Sequence, residues 1–154
     1  MKHSAGLIMY RRRAAGLEVL LVHPGGPNWA KKDAGVWSIP KGEFEEGEDA
    51  LDAAKREFRE ELGVAPAGDF IPLTTVQQSE YKTVHAWAFE GDCDTSSIVS
   101  NTYTLEWPPR SGKQKEYPEV DRAAWFTIGA ARSKILRGQV PLLDELQKRF
   151  GGVN

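Results

Sequence analysis

Gly42 to Val64 reads GEFEEGEDALDAAKREFREELGV. From Glu48 to Leu62 it contains neither Gly nor Pro and is dominated by Ala, Leu, Glu, Lys and Arg, which predicts a helix over 48–62. Asp49 and Asp52 fall in its first turns, where acidic groups meet the positive end of the helix dipole, and Gly63 supplies the expected C-terminal stop. At about 3.6 residues per turn, Leu51, Ala54, Phe58 and Leu62 form one apolar stripe that needs a core to cover it. Glu57, Glu60 and Glu61, spaced i, i+3 and i+4, share the neighbouring face.

Three carboxylates on one helical turn repel one another unless a cation sits among them, and oxygen donors suit Mg²⁺ or Mn²⁺ rather than zinc. The plain alternative is a solvated acidic face. Spacing to residues outside the turn decides between them. The full pattern is Gly42, five residues, Glu48, seven residues, Arg56-Glu57, apolar Phe58, one residue, Glu60-Glu61, one residue, Gly63 and apolar Val64. Its seven fixed positions would match a random window with a probability on the order of 10⁻⁹ to 10⁻⁸. This pattern is the Nudix signature, and the chain resembles the Nudix hydrolases.

The resemblance implies an α/β fold, an α/β/α sandwich around a mixed sheet. It also implies hydrolysis of a nucleoside diphosphate linked to another group, with Mg²⁺ or Mn²⁺ and an attacking water. By position, Glu57, Glu60, Glu61 and the carbonyl of Gly42 correspond to metal ligands, while Arg56 and Glu48 correspond to braces that orient the ligand helix and its preceding loop. Many members add a carboxylate ahead of a strand tryptophan; Glu119, six residues before Trp125, is similar in placement, and Glu116 competes with it. Glu57, Glu60 or Glu119 could take the proton of the attacking water.

The chain has 154 residues, enough for one domain with its own core, and the reading is a single domain over 1–154. A net charge of −2 gives no global attraction to nucleic acid or to an anionic membrane, so phosphate recognition must be local and the expected partner is a small nucleotide. Cys93 is the sole cysteine, which excludes an internal disulfide and a cysteine-based zinc cluster. With no apolar run long enough to cross a bilayer and no signal-peptide core in MKHSAG, a cytoplasmic location is expected.

Ser4–Tyr10 and Leu17–His23 are apolar, partly β-branched runs around the turn Arg11–Gly16, predicting two strands buried on both faces. Arg11, first of three arginines, either closes a solvated edge or reaches a phosphate. Pro24–Val36 is a Gly/Pro-rich loop in which Trp29, beside Lys31 and Lys32, either clasps a nucleobase or anchors the loop. Lys41 immediately precedes Gly42 and is placed to bind substrate. Phe70–Gln78 and Thr83–Phe89 read as strands, with Tyr81 and Lys82 at the mouth of the second and His85 as a core histidine. Asp94–Tyr117 reads as irregular, a lid or a surface loop; Glu119–Ile128 as an edge strand; Ala130–Leu136 and Leu142–Phe150 as a closing helical pair.

The run Trp37–Gly42, Tyr81 at 17 residues beyond Val64, and Glu119-Val120-Asp121 resemble the branch that acts on dinucleoside polyphosphates and damaged nucleoside triphosphates. A nucleotide sensor built on the same fold is the alternative, and eroded ligands would be its mark; all of them are present here. An enzyme trimming RNA 5′ ends is disfavoured by the acidic net charge.

Overall fold

The computed structural model describes residues 1–151. Strands β1 (Lys2–Arg13) and β2 (Gly16–Pro24) form an antiparallel hairpin, and β3 (Lys41–Glu43) pairs antiparallel with the start of β1. Helix α1 spans Ala50–Leu62. Then come β4 (Ile71–Pro72), β5 (Val76–Ser79), β6 (Lys82–Glu90), β7 (Thr102–Glu106), β8 (Gln114–Pro118) and β9 (Val120–Thr127), followed by α2 (Ile128–Lys134) and α3 (Val140–Phe150). A seven-stranded mixed sheet runs β4-β6-β1-β2-β9, with β3 added on β1 and β5 on β6; the β1–β6 pair is parallel.

Alternation along β1 and β2 splits the core in two. Leu7, Met9, Leu20 and Val22 face α1 and pack with Ala53, Ala54, Phe58 and Leu62. Ile8, Tyr10, Val19 and Leu21 face the other way, onto Ile128 and Ala131 of α2 and Leu142, Leu143 and Leu146 of α3. The near-continuous apolarity of both strands is thus burial on both faces, and the sandwich layering follows.

Several boundaries move. The 48–62 helix starts at Ala50, because Asp49 takes the N-cap position and its carboxylate accepts from the Asp52 N–H at 3.0 Å. Ala53 replaces Leu51 as the fully buried member of the stripe. Gly63 ends the helix as expected, at φ 71°, with its N–H on the Arg59 carbonyl. The Phe70–Gln78 segment is two short strands, both antiparallel to β6, divided at 73–75, where the Thr74 N–H donates to Glu145 at 2.7 Å instead of to β6.

The largest departure is in Asp94–Tyr117, where β7 and β8 form a separate two-stranded hairpin. Most of its side chains face solvent, so no buried face imposed a readable period on the sequence. His85 is half-buried rather than in the core, with Nε2 at 3.0 Å from His3 Nδ1. Among the described residues no helix is long and apolar enough to cross a membrane.

Candidate active site

Glu57, Glu60 and Glu61 come from the last turns of α1, and β3 brings Gly42 against them. A Cβ on Gly42 would clash with the Glu57 carboxylate, so the glycine is what lets that carboxylate lie on the β3 backbone. Arg56 donates to Glu48 and, at 3.1 Å, to Glu57, and its Nε lies 3.7 Å from Glu60. One guanidinium therefore ties the loop before α1 to the acidic face of the helix. Glu61 is held from the other side, accepting from the Lys41 backbone N–H at 3.2 Å.

Glu119 arrives from the junction between β8 and β9. Its N–H donates to Asn101 O at 2.8 Å, its carbonyl accepts from Gly25 N at 3.0 Å, and Asn101 N donates to the carbonyl of Glu60 at 2.7 Å. Val99 N donates to Leu62 O at 3.0 Å, so residues 99–101 also occupy carbonyls left free at the C-terminus of α1. Ser100 Oγ accepts from Val120 N at 3.0 Å and donates to Asn101 O at 2.8 Å, completing this strap. Glu116 lies on β8, where it accepts from Thr102, and takes no part in the cleft.

The electrostatics follow from this crowding. Burial, followed by repulsion from Glu57, pushes the Glu61 carboxyl up to about 8, although the residue keeps part of its surface exposed. Burial also raises Glu57, against the opposing Arg56 hydrogen bond and with help from Glu60 and Glu119. Glu119 is raised by burial and by Glu60. Lys41 is lowered by burial first and Lys82 second. Carboxyl groups that resist ionisation because they are buried and, secondarily, because they face one another are hard oxygen donors of the kind that suit Mg²⁺ or Mn²⁺. Among the described residues, however, no three acidic, His or Cys side chains already converge as a ligand shell, since Arg56 draws Glu57 and Glu60 toward itself.

Glu61 and Glu119 open into a cleft of about 310 Å³, together with Lys41, Lys82, Trp29 and Gln78. A larger hollow of about 900 Å³ lies beside His3, Phe44 and His85 and contains none of the α1 carboxylates. The smaller cleft is the one that adjoins the acidic cluster. Trp29 is both part of its wall and a loop anchor, with Lys32 Nζ 5.0 Å from its ring centroid.

Two sequence candidates lie elsewhere. Arg11 donates to Glu18 at 2.8 Å and Asp92 at 2.9 Å and covers the Trp125 ring. It stands six residues along β1 from Ala5, the partner of Gly42, which at strand rise is about 20 Å away. Tyr81 is 71% exposed at the β5–β6 turn and lines none of the cleft.

Sequence reading missed the residues that hold the cleft together. His23 is fully buried, with Nδ1 2.9 Å from Asp121 and Nε2 2.7 Å from the Lys32 carbonyl, and so pins the Trp29 loop. Tyr103 donates from β7 to Gly25 O at 2.8 Å, and Gln139, also fully buried, joins Ser38, Ile39 and Gln78. Their partners lie up to 101 residues away, beyond the reach of any local pattern.

Comparison with known proteins agrees with this fold. The family model described as NUDIX domain matches residues 2–146. An RNA pyrophosphohydrolase of Bradyrhizobium sp. (strain ORS 278) is 40% identical over 62 residues, 40% of this chain and 30% of that protein. One from Rhizobium meliloti (strain 1021) is 33% identical over 58% of each. The chain thus spans 30% to 58% of the length of these curated relatives. Among solved structures, a C. elegans Ap4A hydrolase binary complex superposes with TM-score 0.64 at 22% identity, covering 99% of this chain and 100% of that one. The NUDIX domain of Shewanella oneidensis NrtR complexed with ADP ribose gives 0.65 at 15% identity, over 96% and 86%. With its complete signature held on an α/β/α sandwich, the chain belongs to the NUDIX domain family.

Proposed function

We propose that this protein is a divalent-metal-dependent pyrophosphohydrolase for nucleotides, acting on a pyrophosphate bond of a nucleoside diphosphate linked to another group. The observation that carries the reading is that Glu57, Glu60 and Glu61 on one stretch of helix, braced by Arg56 and the Lys41 N–H, are tied through Asn101 to Glu119 beside a cleft that also presents Lys41 and Lys82. The curated relatives named as RNA pyrophosphohydrolases and the Ap4A hydrolase fold support a phosphoanhydride substrate.

Glu57, Glu60, Glu61, Glu119 and the Gly42 carbonyl would hold Mg²⁺ or Mn²⁺, which supplies positive charge against phosphoryl oxygens and acidity to water. Lys41 and Lys82 bind the phosphates, and Trp29 offers an aromatic surface to the base. The proton of the attacking water passes to Glu57, Glu60 or Glu119, with Arg56 fixing the first two in orientation. Substrates in keeping with the sequence are dinucleoside polyphosphates and ordinary or oxidised nucleoside triphosphates.

Product analysis with Mg²⁺ and separately Mn²⁺ tests this against those substrates, ADP-ribose, NADH, coenzyme A, diphosphoinositol phosphates and a 5′-triphosphorylated oligoribonucleotide. Metal-dependent cleavage of one class, lost in Glu60→Gln, is the expected result. Nucleotide binding without product under either metal would instead make the domain a sensor.

A further inference from the structure

The floor of the cleft carries a hydrogen-bond chain whose direction is fixed from its buried end. Gln139 Oε1 accepts from the Ile39 backbone N–H at 3.1 Å, a group that can only donate. Gln139 Nε2 is therefore the atom that faces Ser38 Oγ at 3.0 Å and Gln78 Oε1 at 2.9 Å, and it donates to both. The Ser38 hydroxyl passes its own hydrogen to Ile39 O at 2.7 Å. Gln78 thus turns its carbonyl toward Gln139; it lines the cleft, no described residue pairs with its NH₂, and no buried side-chain polar atom is left unsatisfied, so that NH₂ is accessible to a ligand.

The backbone is shaped to hold Gln78 this way. The register of β5 on β6 shifts between Gln77 and Ser79, a bulge that re-aims the residue between them. Gly138, next to Gln139, packs so closely on the Gln78 backbone that any Cβ would clash with its carbonyl oxygen. Trp29, Val36 and Leu136 give the same cleft apolar walls, and Lys41 and Lys82 give it charge.

We propose that Gln78, locked as a hydrogen-bond donor by Gln139, selects nucleotides whose base presents a ring carbonyl, as 6-oxopurines do, over adenine nucleotides. The proposal rests on the reading of this cleft as a nucleotide site. A free glutamine amide recognises adenine with both ends, accepting from the amino group and donating to a ring nitrogen. Here the Gln78 carbonyl is engaged by Gln139, and this amide presents its NH₂ donors to a ligand. Where the NH₂ meets the 6-position of a purine, a ring carbonyl satisfies it, whereas the exocyclic amine of adenine meets donor with donor and leaves one group desolvated and unpaired.

The test is calorimetric binding of methylene-bridged, non-hydrolysable analogues of guanosine, inosine and adenosine triphosphates to the full chain with Mg²⁺. Inosine isolates the 6-position. The unmodified protein is expected to bind the guanosine and inosine analogues roughly tenfold more tightly than the adenosine one. Gln78→Glu, which turns an acceptor toward the cleft, is expected to reverse the order. Equal affinities, or an unchanged preference in Gln78→Glu, would overturn the proposal. Turnover of the cleavable nucleotides is followed in parallel. Turnover without base preference removes this inference and leaves the hydrolase reading; base-selective binding without turnover does the reverse; no binding of any analogue removes both.

Discussion

Glu61 couples the stability of the protein to its acidity. Its carboxyl, ordinarily near 4.5, is pushed up to about 8, so between those values the folded chain binds a proton that the unfolded chain has released. The stability this contributes is fully present below about 4.5 and is lost as pH rises through about 8. With chelator present, the melting temperature should fall across that interval, Glu61→Gln should flatten the fall, and Mg²⁺ or Mn²⁺ should reverse it near pH 8. Thermal melts from pH 5 to 9 check all three. Glu60→Gln, by contrast, should reduce kcat by about 10²-fold or more with little change in melting temperature. Gly42→Ala pushes a methyl into the Glu57 carboxylate, and we expect it to cost roughly 1–3 kcal/mol in denaturant unfolding as well as activity.

At the level of elements, the strap 99–101 sets the distance between two acidic groups that are far apart in sequence. A single residue, Asn101, receives Glu119 at its carbonyl and gives its N–H to Glu60. Ser100→Ala removes the hydroxyl that steadies both Asn101 and Val120; it should lower stability by about 1 kcal/mol and raise the Mg²⁺ concentration needed for activity. Ser100→Thr should restore both, which titration of the metal against rate would show. None of this was legible in SSIVSNTY, because a backbone hydrogen bond leaves no mark on residue choice. The helix carrying Glu57, Glu60 and Glu61 was legible because its stripe, its stop and its acidic face all follow a local period. Likewise Glu119 was separable from Glu116 only by its place relative to the tryptophan strand, and of the two readings open for Arg11 the phosphate contact gives way, because Glu18 and, 81 residues away, Asp92 already pair with it.

Across the whole molecule, the two faces of β1 and β2 divide the work. One face receives α1 and its carboxylates; the other receives α2, α3 and, through Gln139, the floor of the cleft. Burial on both faces could be read from the two apolar runs, whereas the cleft between the layers depends on loops that meet only after folding. Tyr103→Phe cuts one of those meetings, the bond from β7 to Gly25. It should speed amide hydrogen exchange in residues 25–35 and raise KM more than it lowers kcat, since the loop it loosens carries Trp29.

The β7–β8 hairpin has one further property. Thr102 stands opposite Pro118, and just beneath them Asn101 already bonds Glu119, so the excursion leaves and re-enters the domain through a neck that is closed on its own. Only the part beyond the Tyr103–Tyr117 rung is replaceable, since Tyr103 itself holds Gly25. Exchanging the length or the tip of that outer part should leave the spacing of the carboxylates below unaltered. The carboxylate cluster and the reach of the hairpin are thereby free to diversify separately.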